Sequence, residues 1–332
     1  MRLLARLAGG LAATALLLAI AAVVGWRWLE HWLDRPGPLA AETVLVLPRG
    51  GLDSIAARLE ETGIVEPGWA FVLAARLQGR ERTLKAGEYR FAAGITPRAV
   101  LDLLESGRVV LHRITIPEGL TTAEVHALLE ASDVLDGTLP EPGPDGTLLP
   151  ETWLVPRGEP RARLLERMRE AMRATLAELW ERRAPDLPYT RPEEAVILAS
   201  LVERETPKKE EQPLVAAVFV NRLKRGMRLQ SDPTVIFALA GGRNSLERPL
   251  TRRDLEIDHP FNTYRIAGLP PAPIANPGRS ALEAALDPAD VDYLYFVADG
   301  TGGHAFARTL AEHNRNVARW RRIRDGAERA EE

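Results

Sequence analysis

From Leu7 to Trp26 the chain runs twenty residues without a charge, LAGGLAATALLLAIAAVVGW. A helix of that length rises about 30 Å, enough to cross the hydrocarbon of a bilayer. Arg2 and Arg6 precede the run, and Trp26, Trp28 and Trp32 follow it as interfacial aromatics. The run exceeds the apolar core of a signal peptide and leads into Trp26-Arg27-Trp28, not into a small-residue cleavage site. The pattern therefore predicts an uncleaved anchor over residues 7–26, with residues 1–6 in the cytoplasm and the body of the chain on the far side. The Arg35-Pro36-Gly37-Pro38 stretch then reads as a linker, spanning residues 27–41.

Beyond it a weak repeat appears: VLVLPRGGLDSIAARLEETG from Val44, YRFAAGITPRAVLDLLESG from Tyr89, and ITIPEGLTTAEVHALLEAS from Ile114. Each copy has a short alternating strand, a turn with glycine (Gly50, Gly94, Gly119) and a helix with apolar residues at helical spacing. Thr96 with Pro97, and Thr121 or Thr122, are suited to cap the later helices. These units predict a small α+β module over residues 42–130. Residues 131–189 follow as a Pro/Gly-rich connection and a long Arg/Glu helix from Ala162 to Arg183, whose charges read as a solvated face. A second domain, residues 190–321, is expected to hold helices near Glu193–Glu205 and Gln212–Lys224. A loop-rich stretch, a strand from Tyr293 to Val297 and a last helix from Thr309 complete it, ahead of a charged tail at 322–332. The fold class expected is α+β, with an N-terminal transmembrane helix and a mixed α/β C-terminal domain.

The 332 residues carry 43 basic and 46 acidic side chains, a balance that disfavours a nucleic-acid binder. The absence of cysteine excludes disulfide scaffolds, thiol nucleophiles and thiolate metal sites. His304 and His313 lie nine apart without a third clustered ligand, so no metal is expected, and no cofactor signature is present.

Candidate chemistry concentrates after Ala195. Glu203 and Glu205 close an otherwise apolar helix and lie about 200° apart around it, so at most one can face a given cleft. Glu205 stacks over Leu198, Leu201 and Val202, the apolar stripe, whereas Glu203 stacks over Ala199 and Ser200. A carboxyl on the apolar side is desolvated, which raises its pKa and suits a general acid near neutral pH. The plainer reading makes Glu205 a surface residue satisfied by Lys208 or Lys209. Downstream, RLQSDPTV supplies Arg228, Gln230, Ser231 and Asp232, and FNTYRIAGLPPAPIANPG supplies Asn262, Thr263 and Tyr264 before a proline-stiffened loop. ADGTGGHAF sets His304 in a Gly-rich turn, as a structural residue or a substrate contact.

The stretches ILASLVERET, VFVNRLKRGMRLQSDPTVIFAL, FNTYRIAGLPPAPIANPG and YLYFVADGTGGHAF, with LKAGEYRF and LLESG nearer the N-terminus, resemble the YceG-like endolytic murein transglycosylases. The resemblance covers nearly the whole chain. It implies a lyase of peptidoglycan glycan strands in the inner membrane, its bulk in the periplasm, near the synthases of elongation or division. It implies Glu205 as the catalytic acid, because that residue falls on the family's catalytic glutamate, and a LysM-like glycan-binding module at the N-terminal side. Tyr264, Asn262, Gln230, Asp232, Thr263 and His304 are the expected substrate contacts. At LLPETW the chain departs from the family, with Leu149 and Glu151 in place of an aromatic and an aspartate. Two other readings stand beside this one: a non-catalytic wall-binding scaffold, and a hydrolytic muramidase with Asp232 as second carboxylate.

Overall fold

The computed structural model describes residues 2–331, and side-chain surroundings for residues 9–326. The chain is mixed α/β, with two compact units: Met1–His112 with Pro156–Gly158, and Arg113–Val155 with Glu159–Glu332.

The first unit begins with α1 (Arg2–Asp34), one uninterrupted helix whose stretch Gly9–Asp34 is long and apolar enough to cross a membrane. Its C-terminal end is not followed by the linker that the Pro/Gly pattern suggests. Leu29, Trp32 and Leu33 are buried in the core of this unit. The Trp32 indole donates to the Glu66 carbonyl at 3.0 Å, and Arg98 pairs with Glu30 and Asp34. Trp32, read above as an interfacial aromatic, is therefore a core residue. Gly37 closes the same seam: its N–H donates to the Ile95 carbonyl at 3.1 Å, and a Cβ there would lie 2.5 Å from that oxygen. Residues 27–41 read as linker because their polar and Pro/Gly content is high, and the partners of this segment lie 34 to 68 residues away.

Around that helix end, β1 (Thr43–Leu47), α2 (Leu52–Glu61), α3 (Gly68–Leu77), β2 (Gly87–Phe91) and α4 (Pro97–Ser106) form the unit. β1 and β2 pair antiparallel, Thr43 opposite Phe91 and Leu47 opposite Gly87. Alternation sends Leu45, Leu47, Tyr89 and Phe91 inward and leaves Val44 and Val46 outside. Thr96 caps α4 as its sequence implies, accepting from the Ala99 N–H with Pro97 at the first turn, and Gly107 ends the helix at φ 71°.

The third repeat copy belongs to the second unit. It supplies β3 (Leu111–Thr115) and α5 (Thr122–Glu130), where Thr121 and Glu124 make a reciprocal cap. Short strands β4 (Leu135–Asp136), β5 (Thr152–Pro156) and β6 (Glu159–Pro160) follow, β3 pairing with β5 and β4 with β6. The helices α6 (Arg161–Glu181), α7 (Pro192–Glu205) and α8 (Gln212–Lys224) come next. Then come α9 (Asp232–Leu239), α10 (Arg279–Leu286), the hairpin β7 (Tyr295–Ala298) and β8 (His304–Ala307), and α11 (Leu310–Glu331). The DGTGGH segment is the turn of that hairpin. α7 is the axis of the unit: every residue from Ala195 to Val202 is buried, packed by α6, α8 and α10. Such all-round burial belongs to a central helix, and it delivers two glutamates at one end.

Candidate active site

Glu203 and Glu205 emerge where α7 leaves its packing. The carboxyls of both are pushed up to about 7, burial being the main cause in each. This differs from the helical-wheel expectation, which desolvated only Glu205. Neighbouring helices and loops enclose α7 on all sides, so the polar side of the wheel is covered too.

Hydrogen bonding separates the two. Glu203 is committed: its Oε2 accepts the Gly278 N–H at 2.9 Å, near the Glu118–Lys209 ion pair. Around Glu205 no backbone N–H engages the carboxyl among the described residues, and its hydrogen-bonding neighbour is the Ser231 hydroxyl. The Ser231 hydroxyl pulls its pKa down against burial, the charge of Asp232 pushes it up, and Arg222 and Arg204 pull it down. The lysines that would make Glu205 a plain surface residue are turned elsewhere, Lys209 to Glu118 at 3.1 Å and Lys208 to Glu211 at 4.0 Å.

The wall opposite is built from residues that brace one another. Arg222 of α8 is buried, with its guanidinium donating to the carbonyls of Leu294 and Leu229 at 2.7 Å each and to Gln230 Oε1 at 3.4 Å. It lies over the Tyr295 ring, 5.3 Å from the centroid. Burial lowers its pKa, but the group keeps its charge. Gln230 takes φ 54°, a left-handed conformation that costs a non-glycine residue energy, held by its N–H on the Thr263 carbonyl. That turn sets Ser231 at the head of α9. A serine at this position ordinarily caps the helix through its hydroxyl, yet here the hydroxyl makes no cap bond. Thr263 and Thr234 hold the Ser231 backbone, which leaves the fully buried Ser231 hydroxyl to act on the Glu205 carboxyl.

Asp232 follows, exposed at the start of α9, where its Oδ1 accepts the Tyr264 hydroxyl at 2.5 Å. Burial, then the Asp232 contact, keeps that phenol protonated far beyond neutral pH. Asn262 and Thr263 are fully buried behind Tyr264. The Asn262 amide donates to the Leu255 and Ile257 carbonyls and its Oδ1 accepts the Tyr264 N–H. These two residues shape the wall from behind, and Tyr264 and Asp232 form its surface. His304 sits on β8, where Nδ1 and the Glu211 carboxylate are 2.7 Å apart. Glu211 in turn accepts from Thr206, the residue after Glu205. Thus Glu205, Gln230, Ser231, Asp232, Tyr264 and, through Glu211, His304 converge on the end of α7. No group of His, Asp and Glu suited to a metal ion occurs among the described residues.

Pattern reading passed over Arg222, Ser200 and Asn276. Ser200 Oγ accepts the Ile274 N–H and Asn276 bridges Leu120, Thr122 and Leu148. They fix the proline-rich loop, which owes its rigidity to these bonds as well as to proline. A buried Ser or Asn inside an apolar motif was the only signal available for them.

A mixed α/β unit thus sets a desolvated carboxyl with a raised pKa beside a braced polar wall at the end of α7. The YceG-like family matches residues 44–319 of the chain. An endolytic murein transglycosylase of Bacillus subtilis is 30% identical over 304 residues, 81% of this chain and 82% of that protein. A relative of the same name from Streptococcus pneumoniae is 29% identical over 352 residues, covering 91% of this chain but 63% of the longer relative. A crystal structure of a YceG-like protein from Listeria monocytogenes superposes with TM-score 0.50 at 27% identity, over 83% of this chain and 99% of its own. The chain belongs to the YceG-like family.

Proposed function

We propose that the protein is a membrane-anchored endolytic lytic transglycosylase of peptidoglycan, with Glu205 as its acid and base. The observation that carries this reading is the state of Glu205: its pKa is raised to about 7 by burial, and its hydrogen-bonding neighbour is the Ser231 hydroxyl in place of a fixed backbone N–H. The protonated carboxyl donates to the glycosidic oxygen between N-acetylmuramic acid and N-acetylglucosamine as the C1–O bond breaks. The resulting carboxylate then takes the proton of the muramyl C6 hydroxyl as that oxygen closes on C1, giving a 1,6-anhydro end. One group serves twice, and no water enters. Tyr264, Asp232, Gln230 and His304 line the sugar path, while Asn262 and Thr263 support it from behind. The buried Arg222 cation steadies the carboxylate after the first transfer.

The β1–α2–α3–β2 module of the first unit serves as the LysM-like glycan-holding part, and α1 as a single-pass anchor in the inner membrane with the bulk of the chain in the periplasm. Trimming or ending of nascent strands beside elongation or division synthases completes the proposal. One observation favours a second reading: the charge of Asp232 acts on Glu205, as a partner carboxylate would in a hydrolytic muramidase. Mass spectrometry of products from purified sacculi separates the two. Anhydro-muramyl ends are expected; reducing ends carrying an added water would overturn the lytic mechanism, and binding without release would leave a scaffold.

A further inference from the structure

Helix α3 is apolar on both faces. Its inner face buries Ala70, Phe71, Ala74 and Ala75, while Trp69, Leu73 and Leu77 are 60%, 41% and 56% exposed. Their four-residue spacing makes one continuous stripe on the helix surface. A surface helix of a water-soluble unit would carry polar residues there. The stripe is tied to the helix that the reading above places in the membrane. Trp69 stacks on Trp28 of α1, ring centroids 5.5 Å apart and planes within 7°. Glu66, three residues earlier, receives the Trp32 indole N–H. Trp28 and Trp32 are one turn apart, about 6 Å along α1. The chain from Glu66 to Trp69 therefore descends toward the apolar span, whose uncharged run ends at Trp26, two residues before Trp28. Because Leu29, Trp32 and Leu33 lie in the same core as Phe71 and Ala74, α1 and α3 belong to one packed body.

We infer that the Trp69–Leu73–Leu77 face of α3 lies in the lipid interface beside α1. This seats the first unit on the bilayer where a hanging tether would let it swing. Continuity with the span selects lipid as the occupant. Trp28 and Trp69 form an aromatic pair at headgroup depth, where indoles are favoured.

The inference rests on the single-pass anchor, and the test separates the two. The chain has no cysteine, so single variants Leu16→Cys, Leu73→Cys and Leu77→Cys of the full chain each take one nitroxide label. They are reconstituted in vesicles of phosphatidylethanolamine and phosphatidylglycerol, and collision with lipid-soluble oxygen is compared with collision with a water-soluble nickel chelate. At all three positions oxygen collision is expected to exceed chelate collision several-fold. Lipid contact at 16 with chelate collision dominant at 73 and 77 would overturn this inference alone. Low collision with both reagents at 73 and 77 would mean a protein partner covers the stripe, which also overturns it. Chelate dominance at 16 as well would remove the anchor reading with it.

Discussion

The two sides of the α7 terminus make an instructive pair. Glu203 and Glu205 share a helix end, a main cause of desolvation and a pKa raised to about 7. They differ in what holds them. A backbone N–H from Gly278 fixes Glu203, so its carboxyl is spent on joining α7 to the start of α10. Glu205 is engaged instead by a side chain, the Ser231 hydroxyl, which pulls its pKa down against burial. A raised pKa alone marks burial; a raised pKa on a carboxyl with free hydrogen-bonding capacity marks a group that can exchange a proton with a ligand.

The largest effect that would break this comparison is on turnover. Glu205→Gln removes the acid and should lower the rate of glycan cleavage by about 10²–10⁴-fold, the usual worth of a general acid–base group. The measurement is release of muropeptide fragments from sacculi by the full chain; wild-type turnover by this variant would end the assignment. Glu203→Gln, which keeps an oxygen for the Gly278 N–H, should stay within a few-fold of wild type. A loss as large as that of Glu205→Gln would exchange the roles of the two residues.

pH sharpens the contrast. A general acid must be protonated in the free enzyme, so kcat/KM should fall as pH rises through about 7, the value of the Glu205 carboxyl. Ser231 lowers that value by stabilising the carboxylate. Ser231→Ala should therefore move the alkaline limb to higher pH and lower kcat more than it changes KM, with Ser231→Thr restoring the limb. An unmoved limb in Ser231→Ala would assign the serine a purely structural place.

The smallest effect is on stability. A folded-state pKa above the unfolded value of 4.5 means that the native state binds more protons. The stability tied to the protonated form is full below pH 4.5 and lost as pH rises toward 7. Glu205→Gln lifts that cost. Denaturation at pH 8 should show the variant more stable by roughly 3 kcal/mol, a gap that closes near pH 4. Equal curves at both pH values would mean that Glu205 is solvated.

Much of the local structure was readable from short range. The apolar run of α1, the Thr96-Pro97 and Thr121–Glu124 caps, and the helices ending at Glu205 and Lys224 all follow from residues within one or two turns. The C-terminal end of α1 is hard to read from sequence because the pattern shows Pro36 and Gly37 but not Arg98 and Ile95, to which that segment is bound. Similarly, Asn262 looks like a ligand contact in sequence and is a buried brace in space. Polarity is visible along the chain, whereas the direction a polar group faces is not.

By itself, the sequence determined the helical period that carries two glutamates out of an apolar core, and the uncharged stretch fit for a bilayer. Tertiary structure decided which group holds each of those glutamates and whether the end of the first helix hangs loose or packs into a core. Those outcomes depend on contacts from Gly278, Ser231 and Glu66, brought close only by folding. Desolvation and hydrogen-bond pairing are properties of what surrounds a group in three dimensions, so no one-dimensional spacing can contain them.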